Sequence, residues 1–150
     1  MVYNPFTEET FTAELEEGAF LNGRPIHASG RHAMKDALVS FGASPYEKQF
    51  AGVLFPLYPR IFEQIADFRR GGSAELKLCQ VAAGRLDAYF EANLKPWDYA
   101  AGQLIAREGG AIRTDFVGKP LPILSNANIL AAAPGIYELM QKELRDVNIP

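Results

Sequence analysis

The chain has 150 residues, 48% of them hydrophobic and 22% charged, with a formal net charge of −3. That length suits one domain able to bury roughly 70% of its unfolded surface, and the balance argues against a disordered chain. Lys and Arg are scattered rather than massed and no apolar run approaches the roughly 20 residues of a membrane span, so neither nucleic acid nor membrane is an expected partner.

Residues 1 to 30 read as antiparallel strands: Val2-Tyr3, a turn at Asn4-Pro5, Thr10 to Glu14, then Gly18 to Leu21. Asn22-Gly23 is the strongest short hairpin signal and leads on to Pro25-Ile26-His27. Ala37 to Phe41 predicts an apolar strand that ends in the loop Gly42-Ala43-Ser44-Pro45. Tyr46 to Phe68 is helical in period but interrupted by Pro56 and Pro59, which predicts two helices or a kinked one. After Gly71-Gly72, a helix is expected from Ser73 to Ala83, with Leu76, Cys79, Ala82 and Ala83 at helical spacing.

A strand over Asp87 to Phe90 follows, then a helix from the stretch KPWDYAAGQLIAREGG, then strands over Ala111 to Phe116 and Asn128 to Ala133. Ile136, Leu139, Met140, Leu144 and Val147 form one face of a closing helix. Strands alternating with helices of these lengths predict an α/β layered sheet flanked by helices. The opening hairpins stand outside that rhythm and read as the end of a different sheet. Cys79, the single cysteine, rules out an internal disulfide and suits a reducing compartment, so the expected location is cytoplasmic.

Several residues have both a structural and a chemical reading. Asp98, just after Pro96, either caps a helix start or offers a carboxylate to a hard cation such as Mg²⁺. Trp97 either walls that site or fills the core. Gly71-Gly72-Ser73 before a helix can expose N–H groups to a phosphate or serve as a plain loop and N-cap. Position 76 holds Leu, so there is no capping box. Glu91 at a strand's carboxyl end either projects into a ligand crevice or is solvated. The pairs Glu8-Glu9 and Glu16-Glu17 read as solvated turns, His27 and His32 lack partners at metal-ligand spacing, and Cys79 reads as inert.

Taken in order, VYNPFTEETFTAELEEGAFLNGRPI, FRRGGSAELKLCQVAAGRLDAYFEANLKPWDYAAGQLIAREGG and AIRTDFVGKPL resemble the inositol monophosphatase family over most of the chain. The most specific piece is W-D-x-A-A-G, here Trp97, Asp98, Ala100, Ala101 and Gly102. The resemblance implies that Asp98 is a Mg²⁺ ligand, with Trp97 and the alanines packing the helix start. It implies further that Gly72, Ser73 and Ala74 lie against the substrate, that Glu91 contacts a substrate hydroxyl, and that the Ser44 loop approaches the polyol. The implied reaction is hydrolysis of a phosphate monoester, on a small phosphorylated polyol or sugar, by metal-activated water. Fructose bisphosphate and a 3′-phosphonucleotide are alternative substrates.

The family's D-P-[IL]-D-G-T motif does not occur: none of the six aspartates is followed by Pro or Gly. The implied reading is a carboxyl-terminal part whose catalytic residues lie upstream of Met1 and which is inactive alone. Residues 1–30 then end an α+β first domain, and residues 31–150 form the α/β carboxyl-terminal domain. A different reading is a binding or dimerisation module without catalysis. Under the first, strands 2 to 27 have partners encoded upstream and leave Tyr3, Phe6, Phe11 and Phe20 incompletely covered. The chain should then self-associate through its first 30 residues, as a strand-paired homodimer or as aggregates. Light scattering checks this, and a clean monomer overturns it.

Overall fold

Asn22 and Gly23 take left-handed φ values of 49° and 75°, the conformations a two-residue hairpin turn needs and these residue types tolerate best. The turn folds β3 (Gly18–Leu21) onto β4 (Arg24–Ile26). With β1 (Val2–Asn4) and β2 (Glu9–Glu14) they make an antiparallel sheet in the order β1-β2-β3-β4. Asn22 adds a side-chain clasp, its Oδ1 accepting the Thr10 N–H at 2.8 Å. Glu8 and Glu16 sit in turns with positive φ, as expected. Glu9 does not: it lies in β2 and pairs with Arg85 at 2.7 Å, and that guanidinium holds its carboxyl below the usual range.

The structure, a computed structural model, describes residues 1–43 and 47–149; Ser44 and Tyr46 lie outside the described residues. The second sheet has the order β6-β5-β7-β9-β8. In it β5 (Leu38–Phe41) runs parallel to both β6 (Asp67–Arg69) and β7 (Ala88–Leu94). The far edge is antiparallel, through β9 (Ala127–Ala132) and β8 (Ile112–Thr114). Phe68 was expected in a helix. Ile61, Ile65 and Phe68 are spaced like one helical face, and all three are buried, but the chain turns at Ala66, whose N–H donates to Ala37 O at 3.0 Å, and Phe68 enters β6. Burial from two different elements had imitated a helical period.

Two short helices, α1 (Ala51–Leu54) and α2 (Leu57–Phe62), flank Pro56. Pro59 falls in the first turn of α2, where no N–H is missed. Three longer helices follow: α3 (Ala74–Ala82), α4 (Ala100–Glu108) and α5 (Pro134–Leu144). On α5, Ile136, Met140 and Leu144 are buried, whereas Leu139 is exposed and Val147 lies past the helix end.

Packing stacks four layers. Helices α1, α2 and α5 cover one face of the five-stranded sheet through Leu54, Ile61, Ile136 and Met140 against Val39, Phe90 and Leu130. On the other face, Leu78 and Val81 of α3 and Ala106 of α4 meet Tyr89 and Ile129. The reverse sides of those same two helices carry Cys79, Ala82 and Ile105 against Phe11 and Ala19 of the hairpin sheet. The α3 face visible in the sequence is thus the one turned to the hairpins; Leu78 and Val81 bury the opposite side as well. Burial pushes the Cys79 thiol up to about 12, so it is inert as expected.

Between the sheets the chain is pinned by Asp87, which is 2% exposed. Its Oδ2 accepts the Leu38 N–H at 2.7 Å and meets Arg31 Nε at 3.2 Å, and the Ser29 hydroxyl donates to its Oδ1.

Phe6 is 97% exposed, as expected; Phe11, contrary to expectation, is covered by α3 and α4. Phe11→Ala should therefore cost about 3–5 kcal/mol of stability, and Phe6→Ala no more than about 0.5 kcal/mol. Denaturant unfolding of the two variants measures the contrast.

Candidate functional site

Strands β5, β6 and β7 run the same way, and the segments after them line a cleft of about 1020 Å³. Gly42 follows β5, Arg70 to Glu75 follow β6, and Glu91 to Asp98 finish β7 and leave it. Carboxyl ends of parallel strands are where open α/β sheets bind ligands. Gly72, Ser73, Ala74, Glu91 and Asp98, spread over 27 positions, thus share one cleft. Ser44 lies outside the described residues.

Ser73 is the N-cap of α3. Its extended backbone (φ −106°) and Oγ, which accepts the Leu76 N–H at 3.3 Å, satisfy a helix-start donor without a capping box.

Glu91 stands on β7 beside Tyr89, whose hydroxyl donates to its Oε2. The carboxylate passes so close to Gly42 that a Cβ there would lie 1.7 Å from Oε2, so a side chain at this position would displace it. Past Glu91 the register slips: Glu91 pairs with Ile129 and Leu94 with Ala127, so Ala92 and Asn93 together face Asn128. This β-bulge puts Asn93 at φ 53°. Its N–H donates to Asn128 Oδ1 and its own Oδ1 accepts from Asn126 Nδ2, each at 2.9 Å. The extra residue reverses the alternation. Ala92 faces the α5 side of the sheet, and Leu94 faces the α3 side.

Residues Pro96–Asp98 then form a 3₁₀ turn in which the Asp98 N–H donates to Lys95 O at 2.9 Å and the Lys95 N–H to Asp98 Oδ2 at 3.1 Å. Asp98 was expected in the first turn of the helix. Tyr99, at φ −147°, separates it from α4, so its carboxylate closes the turn instead. Trp97 was expected to pack the helix start; it is 76% exposed and only walls the cleft. The anchor is Tyr99, fully buried, its hydroxyl 2.7 Å from both the Pro122 and Ser125 carbonyls.

The free N–H groups of α4 go to a residue sequence reading missed. Glu75, in the first turn of α3, accepts the Ala101 N–H on Oε1 at 3.2 Å and the Gly102 N–H on Oε2. Gly102 permits this approach, since a Cβ there would lie 2.8 Å from Leu78 Cβ. Burial pushes the Glu75 carboxyl above the ordinary range against those two N–H groups, and the Asp98 charge adds to the rise. Burial likewise raises Glu91; the Tyr89 hydroxyl opposes, and Asp98 adds. Arg70, also missed, donates to Ala43 O at 3.1 Å and draws the Glu91 carboxyl down.

Among the described residues no group of three or more His, Cys, Asp or Glu is arranged to hold a metal ion. Asp98 lines the cleft, Glu75 is bound to backbone N–H groups and Glu91 to a phenol. The donor set fits one arm of a Mg²⁺ site, which needs near-octahedral oxygen coordination.

The sequence model of the inositol monophosphatase family matches residues 1–148. The chain belongs to that family. The Nus factor SuhB of Escherichia coli (strain K12) is 40% identical over 146 residues, 97% of this chain and 54% of its own length. The crystal structure of extragenic suppressor protein suhB from Bartonella henselae superposes with a TM-score of 0.88 at 35% identity, covering 96% of this chain and 55% of that one. Inositol monophosphatase from Anabaena (Nostoc) sp. PCC 7120 gives 0.87 at 30% identity, covering 97% and 57%. The chain therefore spans about half the length of the inositol monophosphatase relatives it matches, and its two sheets and five α-helices, counted among the described residues, are those of that part of the fold. The expectation of no nucleic-acid partner draws no support from relatives named Nus factor. No helix among the described residues is long and apolar enough to cross a membrane.

A carboxyl whose pKa rises on folding supports the fold only while it keeps its proton. That support is present below the ordinary carboxylate range and is lost as pH climbs through the raised value. With Glu75 and Glu91 both raised by burial, thermal stability should fall between mildly acidic and neutral pH. Melting curves of Glu91→Gln should show a shallower fall than the parent chain; an unchanged slope counts against a buried Glu91.

Proposed function

We propose that this chain forms one wall of the active site of a Mg²⁺-dependent phosphatase acting on a small phosphorylated polyol or sugar. The reading is carried by the meeting of Asp98, Glu91 and the Gly72–Ala74 segment in one cleft at the carboxyl ends of parallel strands, in a chain of the inositol monophosphatase family. Asp98 supplies a hard oxygen ligand, steadied by the buried Tyr99 next to it. Backbone N–H groups at the start of α3 suit the phosphate. Glu91, aimed by Tyr89 and given room by Gly42, accepts a substrate hydroxyl. When bound, Mg²⁺ supplies polarisation of the phosphate and an activated water.

The remaining ligands and the general base belong, in this proposal, to segments of the whole protein upstream of Met1, with residues 1–30 as the end of the first domain. The supporting facts are that the chain spans about half of its relatives and that its first four strands form a sheet of their own. A cytoplasmic setting suits the inert Cys79. The rival reading, a binding module without catalysis, is favoured by the lack, among the described residues, of any group of three or more His, Cys, Asp or Glu placed to hold a metal ion, and by relatives named Nus factor.

Two measurements decide. The 150-residue chain alone should bind Mg²⁺ no tighter than about millimolar and turn over no inositol phosphate. In the whole protein, Asp98→Asn should lower kcat by well over tenfold, more than about 1.4 kcal/mol of barrier, with little change in melting temperature. Activity kept within tenfold makes Asp98 a turn-former only, and a whole protein without turnover favours the binding module.

A further inference from the structure

The turn between β3 and β4 is also the only Asn-Gly pair in the chain. Glycine has no Cβ to shield its backbone nitrogen, so in this dipeptide that nitrogen can attack the asparagine amide. Both residues are exposed here, and a Cβ on Gly23 would meet nothing within 4 Å. The Asn22 amide nevertheless cannot swing freely. Its Oδ1 accepts the Thr10 N–H at 2.8 Å and its Nδ2 donates to Glu8 O at 3.2 Å, while its backbone N–H donates to Thr10 O at 2.9 Å. Both ends of the side-chain amide are therefore tied to β2 and to the turn before it.

We propose that Asn22 is a self-modification site, deamidating through Gly23 whenever the hairpin sheet opens and guarded by the clasp to Glu8 and Thr10 while the sheet is closed. In the reaction the Gly23 nitrogen forms a bond to Asn22 Cγ and gives up its proton. The Cγ–Nδ2 bond breaks, Nδ2 leaves as ammonia, and a succinimide ring remains. Water then opens the ring at either carbonyl, giving aspartate or isoaspartate at position 22. The attack needs Cγ turned toward the next residue's nitrogen, so the side chain must first let go of Thr10 and Glu8. Local opening supplies that release.

Neither product rebuilds the clasp. Aspartate lacks the Nδ2 donor and sets a negative charge against the Glu8 carbonyl oxygen. Isoaspartate adds a main-chain carbon to a two-residue turn, and the pairs Leu21–Arg24 and Phe20–Pro25 leave no place for extra length. The same sheet seats Phe11 and Ala19 against α3 and α4. Damage at the turn thus reaches that packing and makes the opening permanent.

The rate is measured by incubating the 150-residue chain in mildly alkaline buffer, digesting it and weighing the peptide that carries residue 22. In urea the Asn22 amide should be lost, and Gly23→Ala should slow that loss even though no fold is present. The folded chain should react at least about tenfold more slowly, as a reaction confined to a minor open state does. Phe11→Ala, which loosens the sheet from beneath, should speed the folded reaction severalfold, whereas Phe6→Ala should leave it unchanged. The isoaspartate form, once isolated, should melt below the parent chain. An amide that survives in urea, or a loss there that ignores Gly23→Ala, overturns the site. Equal rates in the folded and unfolded chains overturn the guard, as does a folded Phe11→Ala chain that reacts no faster than the parent. An isoaspartate form that melts with the parent overturns the permanence of the opening.

Discussion

The buried carboxylate of Asp87 settles how the two sheets are joined. It stands at the root of β7, the middle strand of the larger sheet, with its backbone N–H on Leu38 O and its carbonyl accepting the Ala133 N–H, both at 2.8 Å. Its side chain then gathers Leu38, Ser29 and Arg31, so β5 and the segment from the hairpins converge on one charge. Burying an ion costs several kcal/mol unless donors surround it, and removing one partner leaves that cost uncompensated. Such a group tolerates little displacement. β7 carries that fixed origin to Glu91, which stands at its middle and not, as expected, at the strand's end.

The second constraint is that α3 and α4 have no free side. Each is held by the large sheet on one flank and the hairpin sheet on the other, with Leu78 and Tyr89 within one core and Cys79 and Phe11 within another. The start of α3 lines the cleft and the turn before α4 bears Asp98. Packing remote from the cleft therefore sets its width, and Glu75 fastens the two helices where they come closest to a ligand.

What could be read along the chain was what is local. Asn22-Gly23 announced its hairpin because turn geometry depends on those two residues alone, and the small residues after Trp97 announced a tightly packed helix. Phe68 was misplaced because burial by a strand and burial by a helix look alike three residues apart. Trp97 and Tyr99 exchanged roles because the non-helical Tyr99, at φ −147°, breaks the chain between the 3₁₀ turn and α4, which leaves Trp97 exposed and Tyr99 buried. The resemblance to W-D-x-A-A-G located Asp98 without describing its surroundings. Glu75 and Arg70 carried no local signal, since their partners, Gly102 and Ala43, are 27 positions away in each case.

The bulge at Asn93 makes the stretch from Glu91 to Asp98 a ruler measured in residues. Its asparagine clasp draws on Asn126 and Asn128 from the neighbouring strand and its approach, so the ruler belongs to a pair of segments. Removing one residue would turn Leu94 into the opposite core and send the Asp98 turn to the wrong side of the sheet. Side chains in this loop are consequently freer to change than its length is. Anyone transplanting the loop into another scaffold has to carry Asn126 to Asn128 with it.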